Sequence, residues 1–443
     1  MFSKNIIPAT LIAVALVGCN SSDDNGTSSL QAAHASKDAP LANVWLNGSP
    51  QWTNVDFGAA SGFSSVTAGS NTVRVDVQLP GGATTTVISD TTLNLSELNK
   101  YTVVVVGEAD AASSNAVDAL VLSRPVAGNQ SSTTLDVQVA HAAAGVPDVD
   151  LYVTAPGADL STSTAQATLS YQNDTGVLNI PGGDYQIRLA LAGTQTVAFD
   201  SGTVALANNT ELTIAAVPNQ DSDGSSPVKL LVMDGSSSSI IYNATESAEI
   251  QVGHLVDDAP RVDVSLNGTE AVSDLDFEQV RDYTAVTAGS YDIDVYVDDT
   301  PATVVIDVNG QTLDKGMDYG IFAVNELASI EGLIVKTDRR PVATSAKLNV
   351  IHAAPSASTV DVYLTETSDI TSASPAISGF DFKEDEQGIY VAAGTYFVTV
   401  TPTGTKTAAI GPASVTVEND KVYQAIAIDD TATFDLIVSD ITD

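Results

Sequence analysis

Apolar and polar side chains alternate along much of this chain, as in Val73-Arg-Val-Asp-Val-Gln-Leu79, Tyr291-Asp-Ile-Asp-Val-Tyr-Val297 and Val360-Asp-Val-Tyr-Leu364. A period of two with one apolar side marks a strand that buries one face of an antiparallel sheet and leaves the other wet. Such segments are short, and clusters of Gly, Pro, Asn, Asp and Ser, the residues that turn a chain, separate them. Residues 101–106 and 119–122 read as two further strands, and 422–428 and 434–438 as their counterparts near the other end. Some six or seven strands in about a hundred residues predict an all-β fold of two-sheet, immunoglobulin-like sandwiches.

The alternation recurs with the same landmarks four times. Each of the four histidines closes a strand: Leu30-Gln-Ala-Ala-His34, Val137-Gln-Val-Ala-His141, Ile250-Gln-Val-Gly-His254 and Leu348-Asn-Val-Ile-His352. They stand roughly one hundred residues apart, a domain-sized period. Eleven residues after each, the polar side of the next strand carries Trp45, Tyr152, Ser265 or Tyr363. A small-residue turn then ends at Gly69, Gly183, Gly289 or Gly394, which is 35 residues after the histidine in copies one and three and 42 in copies two and four. Asp38-Ala-Pro40 matches Asp258-Ala-Pro260, and the exit Arg124-Pro-Val-Ala127 matches Arg340-Pro-Val-Ala343. The order is therefore A-B-A-B, with a leader at 1–18, a tether at 19–29, and sandwiches A1 at 30–133, B1 at 134–247, A2 at 248–346 and B2 at 347–443. The serine-rich joint at 234–246 predicts a main hinge near 235–239 between two more rigid A-B pairs.

One pattern repeats through the copies: a strand ending in His-Ala, a proline loop, Val-Asp-Val-Tyr, and later Ala-Gly-Thr-Tyr. It is clearest in Val350-Ile-His-Ala-Ala-Pro355, Val360-Asp-Val-Tyr363 and Ala393-Gly-Thr-Tyr396. It resembles the bacterial family called domain of unknown function 4397 over nearly the whole mature chain. The resemblance implies an extracytoplasmic protein, often tandem and often lipid-anchored, with no established activity. Copy A departs from the pattern, since Trp45 or Ser265 replaces the tyrosine and the third copy has His254-Leu255 for His-Ala.

The N-terminal segment decides the expected compartment. Lys4 precedes a mostly apolar run at 6–18 that is short for a permanent span, and Leu16-Val17-Gly18-Cys19 resembles the lipobox of bacterial lipoproteins. Cys19 is the single cysteine, so no internal disulfide forms, and lipid attachment through its thiol is the use that the motif implies. Diacylglyceryl and palmitate-type chains would hold the protein firmly at a membrane. Asn20 is not the aspartate that favours inner-membrane retention in enteric lipoproteins, so the expected place is the outer membrane, facing the periplasm or the medium. Residues 20–29 carry no apolar side chain and read as a flexible tether.

Charge and motifs narrow the chemistry. Against 17 Lys and Arg stand 55 Asp and Glu, a formal charge of −38, which repels nucleic acid and anionic lipid. His34, His141, His254 and His352 share parity with apolar neighbours, so they are expected to point inward and hydrogen-bond loop carbonyls as structural residues. One histidine per sandwich cannot build a shared metal or catalytic centre, and H-E-x-x-H, G-x-S-x-G and P-loop motifs are missing from the sequence. No cofactor and no enzyme activity are expected. Calcium is the one metal the acids suit: Asp221-Ser-Asp223-Gly224 has the spacing of a calcium loop but lacks the remaining ligands and reads as a solvated hairpin turn, and Asp257-Asp258 and Asp298-Asp299 are as ambiguous. Trp45, Trp52, Tyr152 and Tyr363 are the candidate ligand-facing aromatics, able to stack on sugar rings or to cover a neighbouring domain. The function expected is a non-enzymatic cell-envelope lipoprotein acting as an adhesive or scaffolding stalk, with a glycan or envelope protein as partner; the alternative is a carbohydrate- or calcium-binding module.

Overall fold

A computed structural model describes residues 26–110, 112–126, 132–221, 223–431 and 433–443. Cys19, the leader and most of the tether lie outside the described residues. Unit A1 is built of β1 (Thr27–His34), β2 (Ala42–Leu46), β3 (Ser49–Val55), β4 (Ser64–Thr67), β5 (Gly69–Gln78), β6 (Thr84–Leu95), β7 (Asn99–Val106) and β8 (Asp118–Pro125). The end of the expected tether is thus strand: Thr27, Ser28 and Ser29 pair with Thr67, Val66 and Ser65. Backbone pairing orders these three residues without any apolar side chain among them.

The eight strands, one or two more than the alternation predicts, form two sheets in the orders β4-β1-β7-β8 and β3-β2-β5-β6. Strands β1 and β7 run parallel, and the other pairs are antiparallel. The same two sheets recur in B1, A2 and B2, and the protein is a tandem array of β-sandwiches. In B1 one more strand, Ser238–Ile241, joins the outer edge of Val228–Met233. Between the sheets lie the apolar sides of the alternating strands; in B1 they include Leu135, Val137, Leu151, Ile187, Phe199 and Ile214.

The difference of seven residues between A and B copies falls between the second and third strands. In A1 and A2 an Asn-Gly pair turns the chain, Asn47-Gly48 at φ 50° and 77° and Asn267-Gly268 at φ 50° and 72°. Two successive positive φ values make the primed hairpin turn that Asn-Gly favours. In B1 the chain instead makes a long excursion from Val149–Thr154 to Ala167–Leu169, with a 3-10 turn at Leu160–Thr162 capped by the Asp159 carboxylate.

Half-burial, which the alternation predicts for every strand, fails for the histidine sheets. In β7 the residues Val103 and Val105 point into the sandwich, yet Val104 and Val106 are buried as well. They pack with Ala33, Ala35, Leu120 and Leu122 against Ala140, Ala142, Ala215, Val217, Leu231 and Met233 of B1. A2 and B2 meet in the same way, through Leu255, Phe322, Val324 and Val335 against Ile351, Ala353, Ile426 and Ile428. Each A-B pair is therefore a stack of four sheets with its two histidine sheets back to back. Its two halves solve one packing problem differently: Ala33 lies beside Val104 in A1, and the equivalent positions in A2 are Gly253 and Phe322. A Cβ on Gly253 would sit 2.7 Å from the Phe322 ring, so the glycine is a notch cut for the larger side chain.

This arrangement corrects the expected stalk. Sandwiches joined end to end would expose Val104, Phe322 and their neighbours, and burial of such faces drives the units side by side. The expected hinge is corrected too. Residues 238–241 are a paired strand, the Phe63 amide donates to Gly235 O at 2.9 Å, and the Ala60 amide donates to Ser238 Oγ at 3.1 Å.

Candidate functional site

The four histidines occupy one kind of niche. His34, His141 and His254 place Nε2 at 3.1, 3.1 and 3.0 Å from the carbonyls of Pro40, Pro147 and Pro260. Each Nδ1 accepts from the amide two residues on, that of Ser36, Ala143 or Val256, which fixes the tautomer with its proton on Nε2. His352 differs: its Nδ1 accepts from Ala354, but Ser358 replaces the proline and its carbonyl lies near Nε2 outside bonding geometry. Burial lowers the pKa of all four, that of His34 to about 4, because a charged imidazole would lose its water. Neutral and walled by aromatic rings (Phe57, Tyr171 and Phe277 edge-on, and both Phe380 and Phe382 at the fourth), with the first three bonded on both nitrogens and His352 through Nδ1, these imidazoles lock the loop after the first strand.

The aromatics expected to face a ligand separate into three cases. Tyr152 and Tyr363 are buried, at 7% and 2% exposure. Tyr152 lies under Leu160 of the B-copy excursion, and the ring of Tyr363 lies beneath Lys406, whose ammonium also reaches Ala373 O. These two are corrected from ligand-facing to covered, Tyr152 by the inserted loop that lengthens copy B and Tyr363 by Lys406. Trp52 packs on the sandwich core beside Leu46 and Leu93, so it is corrected from ligand-facing to inward-pointing. Trp45 remains on the outer face with the Arg74 guanidinium stacked 4.3 Å from its ring centre.

Four of the six aspartates quoted for calcium engage their carboxylates within the fold. Asp221 Oδ1 accepts the Asp223 amide at 2.9 Å in a tight turn, while Asp257 and Asp258 accept the amides of Thr431 and Leu327. Asp298 stands 3.7 Å from Arg261, and the Asp299 amide donates to Asp263. Glu278, Asp430 and Asp435 are the group among the described residues whose oxygens come within 4.8 Å of one another, and none of them lies in the expected calcium loop.

A site that the alternation does not reveal lies where the two pairs meet. Arg340, on the joint between A2 and B2, donates to Lys37 O at 2.7 Å, Ala39 O at 3.0 Å and Asp56 Oδ1 at 2.8 Å, all in A1. Its carbonyl accepts from Lys347, which is fully buried, pairs with Asp338 at 2.7 Å and is pushed down to about 8 by burial. The Ala343 amide donates to Asp38 O, and the Asp38 carboxylate holds the amides of Ala109 and Asp110. Beside this knot opens a cleft of about 260 Å³ lined by Lys37, Asp38, Glu108, Asp110, Gln220, Asp420 and Asp443. Burial, then the charges of Asp38 and Asp110, push the Asp420 carboxyl up. Carboxylates dominate the lining, so the cleft attracts cations and repels anions. Sequence reasoning quoted Arg340 only as part of an exit motif. In a chain with 17 cations among 443 residues, the pair Arg339-Arg340 at a joint was the available signal.

These features define a class: tandem β-sandwiches held in pairs through buried sheet faces and joined by an arginine knot. The sequence profile of the domain of unknown function (DUF4397) matches residues 28–152, 135–244 and 248–363, and the chain belongs to that family. The first and third matches cover the A copies despite their departures from the tyrosine motif, and both run on into the next B copy. No curated protein matches the chain. Among solved structures, the Bacillus anthracis TIE protein aligns over 92% of this chain and 69% of its own at 11% identity and a TM-score of 0.15. The product complex of the multi-modular glycogen-degrading pneumococcal virulence factor SpuA aligns over 65% of this chain and 38% of its own, at 10% identity and a TM-score of 0.16.

Proposed function

We propose that this protein is a non-enzymatic cell-envelope lipoprotein, held at the outer membrane through Cys19, whose paired sandwiches form a compact adhesive or scaffolding body. The observation that carries this reading is the engagement of the conspicuous side chains in the fold itself. The histidines lock loops, Tyr152 and Tyr363 are covered, and the paired acids cap turns. What remains for an outside partner is surface, strand edge and loop. No described helix is long and apolar enough to cross a membrane, so attachment rests on the lipobox-like Leu16-Val17-Gly18-Cys19.

The test is Cys19→Ser with fractionation and surface proteolysis of intact cells. Loss of the protein from the outer-membrane fraction is expected, and an unchanged distribution overturns the anchor. Glycan-array and calcium titrations of the full chain are expected to give no specific signal; saturable binding of either ligand would replace the scaffold with a binding module.

A further inference from the structure

The internal duplication supplies a built-in comparison of two sheet edges. In B1 the edge strand Val228–Met233 is covered by Ser238–Ile241, with Leu230 opposite Ile241, Leu231 opposite Ile240, Val232 opposite Ser239 and Met233 opposite Ser238. In B2 the same place belongs to Thr433–Asp440. The correspondence is fixed by the histidines: Ala216 pairs with His141 on one side and Leu230 on the other, and Ala427 pairs with His352 and Leu436. Leu436, Ile437, Val438 and Ser439 thus stand where Leu230, Leu231, Val232 and Met233 stand.

Only one of the two edges is filled. Among the described residues no strand pairs with the outer side of Thr433–Asp440. Leu230 and Leu231 are fully buried, whereas Val438 is 38% exposed and Leu436 and Ile437 are part-exposed. An open edge presents N–H and C=O groups that another extended chain can satisfy, and of these the Leu436 amide already donates to Asp435 Oδ1 at 2.7 Å. The edge of A1, by contrast, ends in Pro125, and that of A2 carries Lys336, two devices that blunt pairing.

Charge says what would fill it. The position before Leu230 is Lys229, whose ammonium lies 5.5 Å from the ring of Tyr242, the residue that follows the covering strand. The position before Leu436 is Asp435, and it stands with Asp430 and with Glu278 of A2 in a group whose oxygens lie within 4.8 Å of one another. Burial, and then the charges of Asp430 and Asp435, push the Glu278 carboxyl up. Cation beside aromatic in B1 becomes a knot of anions in B2, so the complementary occupant changes from an aromatic to a cation. A second copy of this acidic chain is a poor occupant. Antiparallel self-pairing centred on Ile437 and Val438 would set Asp435 opposite Asp440, and like charges directly opposed are destabilising.

We propose that the outer edge of Thr433–Asp440 accepts an extended segment of another protein as a further antiparallel strand, small and aliphatic in its paired stretch and followed by a lysine or arginine that sits beside Glu278, Asp430 and Asp435. The site does not depend on lipidation of Cys19, so its test is separate from that of the anchor.

The probe is the fluorescent peptide Ser-Ser-Ser-Ser-Ile-Ile-Lys, which copies residues 236–241 and ends in lysine where Tyr242 stands, titrated into the full chain beside the same peptide ending in glutamate. Saturable binding of the lysine peptide is expected, with the glutamate peptide weaker by about tenfold, and amide exchange should show new protection at residues 436–439. Asp435→Lys, an exposed change that copies Lys229, should reverse the preference between the two peptides, and circular dichroism reports whether that variant folds. Absence of binding to the unaltered chain overturns the proposal, as does equal binding of both peptides or protection elsewhere. A concentration-dependent dimer that the peptide dissolves also overturns it, by making a second copy the occupant.

Discussion

The contact within a pair and the contact between pairs are made of opposite materials. A2 meets B2 through Phe322, Val324, Ile351 and Ile426, side chains with nothing to titrate. The two pairs meet through Arg340, two backbone carbonyls of A1 and the half-exposed Asp56. Apolar burial is nondirectional and scales with area, so the first contact sets cohesion. Guanidinium hydrogen bonds are directional and few, so the second sets a mutual angle at modest net stability.

The largest expected effect therefore belongs to the apolar contact. Phe322→Ala should destabilise the A2-B2 pair by about 3–5 kcal/mol, because Gly253 leaves no side chain to fill the cavity, and denaturant unfolding measures it. A loss below about 1 kcal/mol would mean that the pair is held by something else.

Acidification comes next, at His34. Unfolded His34 titrates near 6.5 and the folded residue at about 4, so the unfolded state takes up the proton first as pH falls. Its stabilising contribution is complete above pH 6.5, declines as pH falls toward 4, and amounts to roughly 3 kcal/mol. His34→Gln should flatten the pH dependence of the melting temperature across that interval; an unchanged slope would refute the role. Of the four histidines, His34 is the one on which the Arg340 charge acts, adding to the effect of burial. Removing that charge should move its titration upward.

Arg340→Ala should cost about 2 kcal/mol and enlarge the radius of gyration in small-angle scattering, while each pair keeps its own unfolding midpoint. Simultaneous collapse of both pairs would make the knot a core element. The smallest effect lies at the rim of the A2-B2 contact, where Lys383 pairs with Glu331, both about two-fifths exposed. Lys383→Ala should change stability by under about 1 kcal/mol, less again in high salt.

Much of this was written in the sequence, and the omissions have physical causes. Alternation located the core face of every sandwich, and the four histidine strands fixed the repeat, because both are local properties of the chain. The second buried face was also present, as the unbroken runs Thr102-Val-Val-Val-Val106 and Thr213-Ile-Ala-Ala-Val217, the mark of a strand covered on both sides. Reading them as half-buried turned stacked pairs into a stalk. The outward parity of Tyr152 was sound, but parity is silent about a loop folding over the sheet. Arg124 and Arg340 stand in the same four-residue motif, yet Arg124 reaches Leu212 O and Glu211 in the adjoining B1 while Arg340 reaches back to A1. No local pattern separates them, since the partner is chosen by how distant units dock.

The back-to-back sheets set a rule of parity for the growth of such chains. A lone sandwich would leave Val104 and Leu122, or their equivalents, facing water, so copies are gained or lost most safely in twos. Relatives with an odd number of copies are expected to carry polar residues at these positions in the unmatched unit, or to recruit a foreign sheet to cover them.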